Sequence, residues 1–248
     1  MLQKRVNLFG LKIDDISMPR AAELAKISIL GGERRVFFTP NLEMLEGARR
    51  SEEIREILNS ASVLLPDGSG LLLASRLLGE PIENKVAGID FGEKLISLAA
   101  DEGAKVFLLG GARGIAKRAA KKLIAKYPRL KICGIHNGYF SKEDTGVLIS
   151  KIQLASPDIM LVCMGFPKQE RFVFEHRDDF SEIKIIACLG GALDIWSGKK
   201  IRAPRLIRVA HFEWLWRILG DPRRAKRFIS SLPALFYAAR NEKEKGSI

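Results

Sequence analysis

The stretch Val106-Phe107-Leu108-Leu109-Gly110-Gly111-Ala112-Arg113-Gly114 joins an uninterrupted apolar run to a glycine-rich turn, and an amphipathic pattern from Gly114 to Lys126 follows it. Four apolar residues without alternation suit a strand buried on both faces, and glycine admits the tight turn into a helix. Runs of the same kind recur at Val36 to Phe38, Val63 to Leu65, Ile132 to Ile135, Ile159 to Met164 and Ile185 to Leu189. Helical patterns lie between them, Lys142 to Ala155 being another. Strands of this kind separated by helices imply a mostly parallel sheet with helices on both faces, an α/β, Rossmann-like fold. Ahead of it, Val6 to Ile16 alternates like a short strand pair, and Pro19 to Leu30 reads as an amphipathic helix started by Ser17.

After Gly198 strands stop, and Pro204, Pro222 and Pro233 each stand where a new helix can begin. This divides the 248 residues into a Rossmann-like core, 1–198, and a helical, basic C-terminal appendage, 199–248. The formal net charge of +12 calls for an acidic partner, either nucleic acid, an anionic membrane surface or a phosphorylated substrate. Its distribution is uneven: Lys199 to Ile248 holds 13 basic against 4 acidic residues. Cys133, Cys163 and Cys188 lack CxxC spacing and sit in apolar runs, as small buried hydrophobes of a reducing cytoplasm do. No apolar run approaches the roughly 20 residues of a membrane span, and Met1 to Asp15 does not read as a signal peptide. Membrane contact is therefore expected to be peripheral, on the cytoplasmic side.

Ligands of open parallel sheets bind beyond the carboxyl ends of the strands. The segments there are polar and glycine-rich: Thr39-Pro40-Asn41, Pro66-Asp67-Gly68, Gly110 to Gly114, His136-Asn137-Gly138, Gly165 to Glu170, and Gly190-Gly191 followed by Asp194. Glycines let a ligand approach the backbone, and helix N-termini offer N–H groups to phosphate, so a nucleotide or a phosphosugar fits. The Gly110 to Gly114 turn does not match GxGxxG and serves a plain strand-to-helix turn equally well. Asp67, held between Pro66 and Gly68, is the best candidate for a general base; it reads equally as a cap for a helix starting at Ser69. Thr39, Asn41 and Gln169 carry the same two readings, ligand contact or capping. His136, His176 and His211 share no metal-ligand spacing and there is no Asp-x-Asp pair, so no metal and no cofactor are expected. GxSxG is also absent.

Several of these segments together resemble the WecG/TagA/CpsF family of glycosyltransferases: Thr39-Pro40-Asn41, Pro66-Asp67-Gly68, Val86-Ala87-Gly88 with Asp90, Gly165-Phe166-Pro167-Lys168-Gln169-Glu170, Gly190-Gly191-Ala192, Arg202-Ala203-Pro204, Glu213-Trp214-Leu215 and Pro222-Arg223-Arg224. The resemblance implies a metal-independent, inverting transferase. Its donor would be a UDP-activated N-acetylmannosamine-type sugar and its acceptor an undecaprenyl-diphosphate-linked N-acetylglucosamine. In that scheme Asp67 deprotonates the acceptor hydroxyl, while Thr39, with Asn41, Gln169 and Asp194, lines the donor pocket. Asn41, Lys85, Gly110, Gly111, Asn137, Gly165, Gln169, Gly191 and Asp194 bind substrate, and Arg217, Arg224 and Arg227 grip the diphosphate. Two positions depart from the family's pattern: Lys85 replaces an arginine, turning a two-point clamp into a point charge, and His211-Phe212 replaces Gly-Leu.

In the tail, Leu206, Ile207, Ala210, Trp214 and Ile218 recur at helical spacing, with Phe228, Leu235 and Phe236 beyond and arginines around them. Basic residues flanking an aromatic-rich apolar face suit an interfacial helix on anionic lipid, and off the membrane such a face favours self-association. Two rivals stand beside the transferase. A nucleic-acid-binding α/β protein would use the same basic tail, but there the charges are interleaved with apolar residues rather than lining a polar groove, so no nucleic-acid partner is expected. A dinucleotide-dependent oxidoreductase would use the Val106 to Gly114 turn, but Cys133-Gly134-Ile135-His136 offers no acidic ribose ligand.

Overall fold

The computed structural model describes residues 4–204, 207, 215, 216 and 223–245. The strands are β1 (Arg5–Leu8), β2 (Leu11–Asp14), β3 (Arg35–Phe38), β4 (Val63–Leu64), β5 (Lys105–Gly110), β6 (Lys131–His136), β7 (Ile159–Cys163) and β8 (Ile185–Cys188). Between them run α1 (Met18–Ile29), α2 (Leu42–Arg50), α3 (Glu52–Asn59), α4 (Ser69–Leu77), α5 (Gly88–Glu102), α6 (Ile115–Lys126), α7 (Thr145–Ala155) and α8 (Lys168–Glu175). After β8 come α9 (Ala192–Trp196) and α10 (Arg223–Lys245).

β3 to β8 form one parallel six-stranded sheet in the order β4-β3-β8-β7-β5-β6. Period-two alternation divides the strand residues between two cores. Phe37, Val63, Val106, Leu108, Leu161 and Ala187 face α1, α5, α6 and α9. Val36, Phe38, Phe107, Leu109, Val162 and Ile186 face α2, α4, α7 and α8. The fold is thus the α/β, Rossmann-like arrangement expected from the apolar runs, with a C-terminal helix present. β1 and β2 form an antiparallel hairpin that covers the β4 edge: Leu64 N–H donates to Asp14 Oδ2 at 2.8 Å, and Arg5 reaches the Ser62 carbonyl. Covering the edge removes a site for unwanted strand pairing.

Two local expectations need correction. The helix expected from Lys142 begins at Thr145, because Ser141 and Asp144 bond one another in a turn that competes with helix (Ser141 Oγ to Asp144 Oδ2, 2.8 Å). Pro233 does not start a helix but lies inside α10. Its lost N–H bond and ring clash are offset by packing on either side, where Ser231, Ala234 and Ala238 are buried and α10 lies on α2 and α4.

Candidate active site

Where the chain turns to opposite faces of a parallel sheet, the loops separate and leave a crevice. Here β3 and β7 lead to helices on one face while β8, lying between them, leads to α9 on the other, so the crevice centres on the Gly190-Gly191 turn.

On the β3 side, the buried Thr39 hydroxyl donates to the Cys188 carbonyl at 3.1 Å, tying two strand ends 149 positions apart. Asn41 is the N-cap of α2, its side-chain oxygen accepting from Met44 N–H at 3.1 Å. Asp67 N–H donates to the Pro40 carbonyl at 2.8 Å, which brings the β4 loop against the β3 loop. The residue in the cap position of α4 is Gly68, at φ +89°, and has no side chain to cap with. The Asp67 carboxylate instead accepts from Gly88 N–H, 3.4 Å away at the start of α5. Val86 N–H donates to the Pro66 carbonyl at 2.9 Å, so Lys85, half-buried, runs beside the same loop. Gly88 packs closely on Thr39: a Cβ there would stand 3.1 Å from its side chain and push it aside by a few tenths of an ångström. Thr39, Asp67 and the α5 N-terminus therefore form one packed unit.

On the β7 side, Gln169 Oε1 accepts three backbone N–H bonds, from Met164 at 3.3 Å, Gly165 at 3.2 Å and Gly190 at 3.1 Å. Gly165 (φ +81°) and Gly190 (φ +56°) have open space where a side chain would stand. Gly191 precedes α9, whose Asp194 has an Oδ1 buried without a hydrogen bond, Lys199 approaching only to 3.5 Å.

Gly110, Gly111 and Asn137 lie on the other half of the sheet. A Cβ on Gly110 would stand 2.1 Å from the Cys163 carbonyl oxygen, so strand packing alone demands that glycine. Gly111 receives the Gly138 N–H on its carbonyl, and Asn137 accepts from Tyr139 N–H at 2.9 Å. Asp67 and Asn137 follow the two edge strands, five strand spacings or roughly 24 Å apart. Thr39, Asp67, Gly165, Gln169 and Gly190 are linked across the ends of β4, β3, β8 and β7, and the β5 and β6 turns join the β7 loop as well, Gly111 N–H donating to the Cys163 carbonyl at 3.0 Å and Lys168 Nζ to the Gly138 carbonyl at 2.7 Å. Arg217 lies outside the described residues. Arg224 and Arg227 belong to the first turns of α10, and their side chains lie outside what is described.

Four further residues, Glu170, Trp196, Arg202 and Asp90, contribute without having been given a role from the sequence. Glu170 is fully buried, one carboxylate oxygen bonded to Gln169 Nε2 at 2.7 Å and the other without a partner. Burial pushes its pKa up to about 7, with the charge of Glu43 adding to the rise. Trp196, on α9, has a buried Nε1 without a partner. Arg202 grips Asp90 at 2.6 and 2.7 Å, joining the chain beyond α9 to the first turn of α5. Glu170, Asp90 and Arg202 all fall within conspicuous sequence segments, whereas nothing local marks Trp196.

Cys163 and Cys188 are buried, and burial drives the Cys163 thiol to about 12 and the Cys188 thiol well above its ordinary value. Neither is suited to nucleophilic chemistry. Among the described residues no three of His, Cys, Asp or Glu are grouped so as to hold a metal ion. Among the same residues no helix is long and apolar enough to cross a membrane.

A switch-point crevice with glycine-lined turns, a carboxylate at a helix start and unpartnered buried polar atoms stands where Rossmann-like folds bind their ligands. The family description "Glycosyl transferase WecG/TagA/CpsF family" matches residues 6–247. Proteins named N-acetylglucosaminyldiphosphoundecaprenol N-acetyl-beta-D-mannosaminyltransferase from Staphylococcus aureus strains MRSA252, MW2 and NCTC 8325 are each 32% identical over 243 residues, covering 97% of this chain and 94% of theirs. The chain belongs to the WecG/TagA/CpsF family and is a glycosyltransferase.

Proposed function

We propose that the chain transfers N-acetylmannosamine, or a closely related sugar, from a UDP-sugar to undecaprenyl-diphosphate-linked N-acetylglucosamine in cell-surface polymer synthesis, with inversion and without a divalent metal. The observation that carries this reading is the placement of the Asp67 carboxylate at the start of α5, against the Thr39 loop.

In this reaction the acceptor hydroxyl oxygen attacks the anomeric carbon from the face opposite UDP. Its proton passes to Asp67, the bond from the anomeric carbon to the diphosphate oxygen breaks, and the bonding electrons leave with UDP. Thr39, Asn41, Gln169 and Asp194 line the donor pocket, Gly165, Gly190 and Gly191 leaving room for it, and Lys85 supplies a point charge to phosphate. Arg217, Arg224 and Arg227 stabilise the departing diphosphate, a task that arginines and helix ends perform where no cation is held. Chelator is therefore expected to leave the rate unchanged.

The core, 1–198, carries the donor site, and the tail, 199–248, docks on the inner face of the plasma membrane. α10 supports this. Ser231, Ala234 and Ala238 are buried, while Ile229 and Phe236, seven residues apart on one helix face, are 63% and 73% exposed, with Lys226 and Arg240 exposed as well. An outward apolar pair between basic residues suits an anionic lipid surface. The decisive experiment supplies a panel of UDP-sugars and a short-chain lipid diphosphate acceptor and reads the products by mass. Transfer from a UDP-N-acetylhexosamine supports the reading, and hydrolysis or no product with every donor rejects it.

A further inference from the structure

Gln169 commits its amide oxygen and an N–H of its Nε2 to the protein. Oε1 receives the N–H groups of Met164, Gly165 and Gly190, and Nε2 donates to Glu170 Oε1 at 2.7 Å. An amide is nearly symmetric in shape, so its two ends must be told apart by their partners. Turned over, Gln169 would set its NH2 group against three backbone donors. What rewards the observed orientation is an acceptor buried beside Nε2, and Glu170, itself fully inaccessible, supplies it. The carboxylate therefore has a reason to be buried with one oxygen unpartnered. An apolar side chain would fill the volume and leave Nε2 without an acceptor. The loops so joined, after β7 and after β8, bear the two open glycines at the centre of the crevice.

We propose that Glu170 is a positioning residue for the sugar-nucleotide site, acting through Gln169 to hold the Gly165 and Gly190 turns in their ligand-receiving arrangement. This rests on the transferase reading above. Glu170 does not touch substrate. It selects the orientation of an amide that closes the β7 and β8 loops upon each other.

The test compares Glu170→Gln, which keeps an acceptor oxygen, with Glu170→Met, which fills the space without one. Hydrogen exchange at the Gly165 and Gly190 amides is read beside turnover and UDP calorimetry. Glu170→Gln is expected to keep amide protection and turnover within a few-fold of wild type. Glu170→Met is expected to lose protection at both glycines and roughly 100-fold in kcat/KM, as misplacement by about 1 Å can cause. Wild-type exchange or turnover in Glu170→Met, or equal damage in both variants, overturns the proposal. A measurement on the unaltered protein guards against misfolding of the methionine variant. Slow solvent exchange of the Gln169 side-chain NH2 supports the proposal, and exchange as fast as a surface glutamine overturns it. Exchange reads the clamp without activity, so a wild-type enzyme that transfers no sugar would reject the transferase reading and leave the clamp to be judged by its amides.

Discussion

The Arg202 guanidinium meets the Asp90 carboxylate in a two-point ion pair, at 2.6 and 2.7 Å, across 112 positions of sequence. It fastens the segment between α9 and α10 to the first turn of α5, whose opening residue, Gly88, donates to Asp67. Both charges are partly exposed, so the pair contributes only about 1 kcal/mol to stability. Its larger effect is to fix where the tail departs. Replacing Asp90 or Arg202 by Ala is expected to cost little in melting temperature but to slow transfer to lipid acceptor several-fold, the double variant being no worse than either single one. Additive losses in the double-mutant cycle would show that the two act separately.

Asp67→Asn keeps the side-chain shape and removes the proton acceptor. Transfer is expected to fall by roughly 100-fold or more while UDP affinity, measured by calorimetry, stays near wild type. A rate above about a tenth of wild type would take the base role from Asp67, because positioned bases contribute roughly 100-fold.

Glu170 makes stability depend on pH. Burial, the largest influence, and the Glu43 charge push its pKa to about 7 against an ordinary 4.5, while the bond from Gln169 opposes them. The folded chain thus keeps a proton that the unfolded chain releases above 4.5. The contribution is full below pH 4.5, falls between 4.5 and 7, and is gone above 7. The nearby Cys188 thiol, raised well above its usual value, does not titrate in this window. Glu170→Gln has no proton to lose, so wild type is expected to lose about 3 kcal/mol relative to it between pH 4.5 and 8. Urea unfolding of both proteins at pH 4.5 and pH 8 measures the change, and a constant difference would mean that folding leaves the Glu170 pKa where it stands in the unfolded chain.

Ile229 and Phe236 face outward on α10, so changing both to Glu removes no buried contact. Sedimentation with anionic vesicles is expected to be lost and the melting temperature kept, while turnover of a water-soluble acceptor is retained. Unchanged sedimentation would move the docking surface elsewhere. Unfolding would show that the pair is packed in solution.

The α/β class was legible because hydrophobic period is a local property: a continuous apolar run such as Ile159–Cys163 reports burial on both faces before any neighbour is known. The strand-end residues were legible for a similar reason, since Thr39 and Asp67 stand just past apolar runs. Their separate tasks were not. Asp67 read equally as base or cap, and only the fold places its carboxylate toward Gly88 and sets Gly68 in the cap position. Gln169 read as a pocket residue, yet its amide is spent on three backbone groups and on Glu170.

By itself, the sequence determined that a two-sided parallel sheet would form and that its strands would end in polar, glycine-rich turns. Only the tertiary structure decided which turns meet. The strand order β4-β3-β8-β7-β5-β6 sets Thr39 beside Cys188 and sends Asn137 to the opposite edge from Asp67. The reason is physical: crossover helices choose the neighbour of each strand by packing among residues far apart in the chain, and no short-range pattern encodes that choice.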